Sequence, residues 1–328
     1  MAPSVGLGKR WPGVSFRPRR CGGAAARGAS STLSPPPATT VKASRSEFVR
    51  VRGIDLHCRV WGPAGAPRLV LLHGSQDVSA SWQFTVDALS DDWEVVAPDW
   101  RGNGLSGWSG ADAYWYPDYL GDLDALLERW SPERPVRLVG HSMGAGIGAL
   151  YAGIRPERVA RFVNVDGFGA PAGRQDPAPR RFAKWLAQLG DDTSQRPYSS
   201  FEEFALRMQS ENPRLTGERA LFLAHHWGRE EADGSVVRRA DPALKRINPL
   251  PLPQEDVIDC WRQTQASVLW IDGAQSGLWA RLASDPRAFE ERAGAYADLR
   301  IEHVEDAGHN VHHDQPERLA TLIEAFMR

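Results

Sequence analysis

One serine in this chain sits where the backbone leaves little choice of fold. The strand-like run Val136-Arg137-Leu138-Val139 leads into Gly140-His141-Ser142-Met143-Gly144, and the small-residue run Ala145-Gly146-Ile147-Gly148-Ala149 follows. That order reads as strand, sharp turn, helix. A serine at the apex of such a turn is held in a strained conformation, so the residues two before and two after must be tiny. Both are glycine. The hydroxyl then projects freely, and the helix N-terminus behind it presents backbone N–H groups to any anion that develops there.

Short apolar runs and helix-period segments alternate on either side of this turn. Phe48–Val51, a turn at Arg52-Gly53 and Ile54–Trp61 read as an antiparallel hairpin. Leu69-Val70-Leu71-Leu72-His73 is continuous and apolar, as a strand buried on both faces requires. Further strands are expected at Trp93–Pro98, Val159–Val165, Ser267–Ile271 and Arg300–Val304. Helices are expected at Trp82–Leu89, Asp118–Trp130, around Phe289, and from Pro316 to Met327; the second repeats its apolar residues at helical spacing. This alternation predicts an α/β fold with a mainly parallel central sheet and helices on both faces. It stops between about 170 and 250, where Arg-, Trp- and Pro-rich sequence reads as helices (Arg181–Leu189, Phe201–Gln209, Glu218–Trp227) with no strand. A helical insertion after the sixth strand would lie as a cap over the strands' C-terminal edge, where ligands bind in such sheets.

The domain plan is therefore a tail over 1–45, a first core segment over 46–170, a helical cap over 171–250 and a second core segment over 251–328. The tail carries eight Lys/Arg and no acid, which leaves the remainder at a formal charge of −10. With Gly22-Gly23-Ala24-Ala25-Ala26 and Pro35-Pro36-Pro37 it has too little to bury, and a disordered extension is expected. Its Arg- and Ser-bearing, acid-poor character also fits an organelle transit peptide. A net charge of −2 gives no electrostatic case for nucleic acid. No apolar run approaches the roughly 20 residues that would span a bilayer. Cys21, Cys58 and Cys260 are too few and too scattered for a metal cluster or a disulfide framework, which points to a reducing, cytoplasmic setting.

Three more stretches complete a pattern. His73-Gly74-Ser75 follows the third strand, Asp99-Trp100-Arg101-Gly102-Asn103-Gly104 follows the fourth, and Gly308-His309-Asn310-Val311-His312-His313 follows the last. With Gly140-His141-Ser142-Met143-Gly144 between them, residues 47–328 resemble the α/β-hydrolase fold family. The resemblance implies that Ser142 is a nucleophile, that His309 is its base, and that the backbone N–H groups of Ser75 and Met143 form an oxyanion hole. His312 and His313 are competitors for the base. Asp99 and Arg101 are expected to support the loop beneath the site. His225-His226 and Glu230-Glu231 lack metal-site spacing. The acid departs from the family pattern: where Gly-x-x-Asp is usual, this chain has Gly273-Ala274-Gln275-Ser276. Asp166, after the sixth strand, is the leading candidate, with Asp272 and Asp285 as alternatives.

The implied activity is a serine hydrolase that cleaves a carboxylic ester of small to medium apolar size through an acyl-enzyme, with no cofactor and no metal. Trp185, Trp227 and Trp261 in or near the cap suggest the apolar pocket. The same residues could serve C–C bond, lactone or amide hydrolysis. Ser276 at the usual acid position would instead suit a non-catalytic binding protein of the same fold. The expected partner is a small-molecule substrate, and the sequence leaves the oligomeric state open.

Overall fold

A computed structural model describes residues 41–90, 92–169, 176–191 and 195–328. The tail expected over 1–45 lies outside these residues as far as 40. Strand β1 begins at Ser44, two residues inside the stretch assigned to the tail.

The described strands are β1 (Ser44–Val51), β2 (Ile54–Trp61), β3 (Arg68–Leu72), β4 (Glu94–Pro98), β5 (Val136–His141), β6 (Val159–Val165), β7 (Gly228–Glu230), β8 (Val236–Arg238), β9 (Ser267–Gly273) and β10 (Leu299–Val304). The helices are α1 (Gln83–Ala88), α2 (Tyr116–Trp130), α3 (Met143–Ile154), α4 (Ala178–Leu189), α5 (Phe201–Glu211), α6 (Gly217–Trp227), α7 (Gln254–Arg262), α8 (Gly277–Ala283), α9 (Pro286–Ala293), α10 (Val311–Asp314) and α11 (Pro316–Met327).

Eight strands form one sheet in the order β1-β2-β4-β3-β5-β6-β9-β10. β2 is antiparallel to both its neighbours, β1 and β4, and every other pairing is parallel. Alternation within the central strands explains why both faces are covered. Leu69 and Leu71 of β3, Val139 of β5, Val163 and Val165 of β6 and Leu269 of β9 enter one buried cluster with Val86 of α1 and Leu319, Ile323 and Met327 of α11. Val70, Leu72, Leu138, Phe162 and Val268, one residue out of step, enter a second cluster with Leu123 of α2, Ile147 of α3 and Trp261 of α7. Small residues let α3 sit close. A Cβ on Gly153 would lie 1.8 Å from the Cys260 carbonyl oxygen of α7.

The chain order across the sheet creates the place for a site. From β3 the chain moves to β4 on one side, and its next strand, β5, pairs with β3 on the other. The loops after β3 and β5 thus leave adjacent strands in opposite directions, which opens a crevice at their C-terminal ends.

The described residues between β6 and α7 have their own small core: Phe204 and Met208 of α5, Leu215 of the α5–α6 connection, Leu223 and Ala224 of α6, and Val236 of β8. They are fastened to segments that follow β3, β4 and β10. Trp227 Nε1 donates to Ser81 Oγ (2.9 Å), an Arg219 guanidinium nitrogen to the His313 carbonyl (2.9 Å), and Asn212 Nδ2 to Asp314 Oδ1 (2.7 Å). The Gly104 N–H donates to the Arg239 carbonyl, and the Asp241 N–H to the Gly102 carbonyl, both at 2.7 Å. Sequence reading expected only helices here, yet β7 and β8 form a short antiparallel hairpin. Its turn is closed by Gly234, whose φ of +83° suits glycine. Each strand has three residues, too few to register as a period. Among the described residues, no helix is long and apolar enough to cross a membrane.

Candidate active site

Ser142 stands between the last residue of β5 and the first of α3, with φ 50° and ψ −115°. A non-glycine residue in that region is strained, at about 1–3 kcal/mol, and persists only where its surroundings impose it. Here the flanking glycines impose it by close packing. A Cβ on Gly140 would lie 2.6 Å from the Ala145 backbone, and one on Gly144 would lie 2.4 Å from the Leu72 carbonyl oxygen. The first turn of α3 is thereby pressed onto the end of β3. The Ser142 N–H donates to the Val165 carbonyl (3.0 Å), which ties the bend to β6.

His309 comes from the loop between β10 and α10. Its Nε2 lies 3.0 Å from Ser142 Oγ, and its Nδ1 lies 2.5 Å from Asp166 Oδ2. Asp166 follows β6 directly, is fully buried, and has φ 48°. Its N–H donates to the Ile271 carbonyl (2.7 Å). Three strand ends therefore bring a hydroxyl, an imidazole and a carboxylate into one hydrogen-bonded line, in the order that lets the carboxylate fix the Nδ1–H tautomer and leaves Nε2 free to accept the serine proton.

The alternatives for the acid lie elsewhere. Both carboxylate oxygens of Asp272 are 2.8 Å from His303 Nδ1. Burial pushes the Asp272 carboxyl up, against the downward pull of His303. Asp285 caps α9, accepting from the Ala288 N–H at 3.1 Å. The competitors for the base are also accounted for. His312 and His313 are buried rather than exposed at a helix entry. Burial holds the His313 imidazole well below its usual range, and the His312 ring beside it adds to the effect.

Ser276 was read from sequence as a residue unable to serve as the acid, and so as a mark of a non-catalytic binding protein. The structure places it against the acid: its Oγ donates to Asp166 Oδ2 at 2.7 Å, and it is buried to 1% exposure. The same oxygen accepts from the Leu278 and Trp279 N–H groups at the start of α8. One hydroxyl thus links the helix N-terminus to the Asp166 oxygen that meets His309. The only trace of this in the sequence was a serine at the family's usual acid position.

Ser75 and Met143, the expected backbone donors, follow β3 and β5, the two strands that border the crevice. Met143 opens α3, so its N–H has no acceptor one turn back within that helix. The β3 loop comes up against the serine: a Cβ on Gly74 would lie 3.3 Å from Ser142 Cβ. Ser75, next in the chain, is exposed, and Gln76 after it turns with φ 55°.

Other residues flagged by charge are structural. Asp99 accepts from the Ser79 N–H (2.6 Å), the Leu105 N–H (2.9 Å) and His57 Nδ1 (2.8 Å). Arg101 grips Asp122 with two bonds of 2.6 and 2.5 Å. Of the three tryptophans assigned to an apolar pocket, Trp261 belongs to the core, stacked on Tyr296 at 5.4 Å. A cavity of about 580 Å³ lies at the opposite ends of the strands, lined by Arg68, Glu94, Trp130 and Arg137, and takes no part in this site.

Comparison with known proteins bears on the family and the fold. A model described as "Alpha/beta hydrolase family" matches residues 69–322. A zebrafish (Danio rerio) "Serine hydrolase-like protein" is 26% identical over 299 residues, covering 88% of this chain and 90% of that protein. A human "Serine hydrolase-like protein 2" is 23% identical over 82% of this chain and 90% of its own length. Among solved structures, the thioesterase domain of the curacin biosynthetic pathway superposes with a TM-score of 0.77 at 23% identity, covering 86% of this chain and 99% of that domain. A Mycobacterium tuberculosis esterase superposes with a TM-score of 0.66 at 21% identity, covering 87% and 91%. At those identities the two structures establish the fold.

Proposed function

Because this chain belongs to the alpha/beta hydrolase family, we propose that it is a serine hydrolase that cleaves carboxylic esters through an acyl-enzyme. The observation that carries the reading is the line Ser142 Oγ–His309 Nε2 at 3.0 Å and His309 Nδ1–Asp166 Oδ2 at 2.5 Å. In this reading His309 Nε2 takes the Ser142 proton as Oγ bonds to the substrate carbonyl carbon. The carbonyl oxygen becomes an anion and accepts from the N–H groups of Ser75 and Met143. The carbon–oxygen bond to the alcohol then breaks, and His309 returns the proton to the departing alkoxide. A water molecule, deprotonated by the same imidazole, attacks the acyl group and restores Ser142. Asp166 stays ionised throughout and steadies the imidazolium.

Residues 171–250 are read as a cap that selects the substrate, since described residues among them hydrogen-bond to Ser81, His313 and Asp314, after β3 and after β10. Trp185 and Trp227 in that stretch favour small or medium apolar acyl or alcohol groups; Trp261 is withdrawn from that role. The zebrafish and human relatives named as serine hydrolase-like, and the esterase and thioesterase neighbours, fit the same acyl-transfer class. Ser276, the one residue that favoured a non-catalytic binding protein, hydrogen-bonds to Asp166 and so supports the acid rather than marking its loss.

The test is covalent capture. A fluorophosphonate should label the protein on Ser142, and Ser142→Ala should abolish both the label and the hydrolysis of short p-nitrophenyl esters. Folded protein in which Ser142 stays unlabelled and no ester of the panel is cleaved would overturn the reading.

A further inference from the structure

Beside His309, a second group of ligand-type side chains is closed off from solvent. Asp77, in the loop after β3, is 4% exposed; His141, at the end of β5, is 3% exposed; His312, in α10, is fully buried. One ligand-type atom from each lies within 4.8 Å of the other two. The proposed reaction uses none of these three side chains.

Three features make this more than a chance cluster of polar groups. First, buried nitrogens here lack partners. His141 Nδ1 and both ring nitrogens of His312 have no hydrogen-bond partner, although a buried polar group left unpaired costs about 1–3 kcal/mol. Second, the tautomer of His141 is fixed. Its Nε2 lies 2.9 Å from the His309 carbonyl oxygen, which can only accept. Nε2 therefore carries the proton, and Nδ1 presents a lone pair. Histidines that bind metal are commonly held by this kind of outer bond to a carbonyl. Third, Asp77 is braced on one side only. Oδ1 accepts from the Val78 N–H at 2.7 Å and from the Ser81 hydroxyl, which leaves Oδ2 facing His312 Nε2 at 3.6 Å. That separation is long for a hydrogen bond. It is close to the roughly 3.3–3.5 Å between two ligands of one tetrahedral ion with bonds of about 2.0–2.1 Å.

We propose that Asp77, His141 and His312 form a buried site for one divalent transition-metal ion of the zinc class, beside the loop that carries His309. Two imidazoles and one carboxylate make a donor set suited to zinc and ill-suited to calcium or magnesium, which prefer oxygen ligands. The ligand atoms, which now lie within 4.8 Å of one another, reach a tetrahedral edge by an inward shift of at most about 1.5 Å. Water or a hydroxide completes the coordination. Because His141 holds the His309 carbonyl through its other nitrogen, an ion bound here stiffens the loop of the proposed base without touching Ser142.

The experiment uses the full chain without a histidine tag, dialysed against Zn²⁺ and assayed for bound metal. One equivalent should be retained. Asp77→Asn and His312→Gln should each weaken binding at least tenfold, with metal-free melting recorded to show that each variant is folded. X-ray absorption at the zinc edge of the unaltered protein needs no variant, and should show only nitrogen and oxygen neighbours, two of them imidazoles. Protein that retains no stoichiometric zinc, or folded variants that bind it as the parent does, would overturn the proposal. So would an absorption spectrum with sulfur or without imidazole.

Discussion

Ser276 and Asp166 are separated by 110 positions in the chain, yet they share one carboxylate oxygen with His309. On the proposed mechanism, Asp166→Asn removes the charge that steadies the imidazolium and disturbs its tautomer, so ester turnover should fall by about 10⁴-fold with the fold intact. Removing only the supporting hydroxyl, in Ser276→Ala, should lower it roughly tenfold, the order expected for one hydrogen bond to a charged group. Combining Asp166→Asn with Ser276→Asp puts a carboxylate back beside His309 from the neighbouring strand end. The double variant should regain at least tenfold over Asp166→Asn alone in a steady-state ester assay, and equal rates for the two would count against shared access to the ring. Ser142 and His309 were legible in the sequence because each lies in a short glycine-bearing motif tied to a strand end. Asp166 was legible only as one of three candidates. The partnership of Ser276 was not legible at all: a serine hydroxyl carries no charge signature, and its meaning lies in a contact between distant strands.

At the level of elements, sequence was informative where burial dictates the pattern. β3 is apolar from Leu69 to Leu72 because both its faces are covered there, and α2 repeats its apolar residues because only one of its faces is. The β7–β8 hairpin escaped notice because strands of three residues have no period to read. α7 also escaped; its apolar residues Val257, Ile258 and Trp261 fall within nine positions, too short a span to separate from a loop. Trp261 was misassigned for a related reason, since aromatic content does not say which way a ring faces. Within the insert, His226 at the end of α6 offers an element-scale test. Burial holds its imidazole down at about 4, and the nearby Arg59 guanidinium acts in the same direction. The folded state therefore stays unprotonated where the unfolded chain takes up a proton. Stability tied to this ring is fully present above the ordinary histidine value of about 6.5, and is lost as the pH falls from there towards 4. His226→Gln should accordingly lose less stability than the parent between pH 7 and pH 5, measured by urea unfolding at both pH values. An equal loss in the two proteins would show that the ring is not linked to folding.

Across the whole molecule, stability is unevenly distributed. β3, β5, β6 and β9 lie inside the sheet, with side chains packed on both faces. α4 has no buried residue, and Leu186 on it is 60% exposed. Amide hydrogen exchange followed by mass spectrometry should find the central strands slowest, near the global unfolding limit. α4 should exchange earliest among the described helices, and the α5–α6 pair, with its separate small core, should fall between. Uniform protection from α4 to β5 would contradict this ordering. The overall architecture was readable from alternating strands and helices, because a parallel sheet covered on both sides demands that alternation. The seating of the insert was not, because it depends on single bonds such as Trp227 to Ser81, which link loops far apart in sequence.

The imidazole that reaches the serine arrives 167 positions later in the chain. During synthesis the bend at Ser142 and the sheet beneath it could emerge and pack while the β10 loop was still unmade. On the proposed mechanism, a polypeptide released between residues 142 and 309 would carry the hydroxyl with nothing to draw off its proton. Abortive translation products and C-terminally clipped fragments should therefore be inert towards esters, even where much of the scaffold has formed.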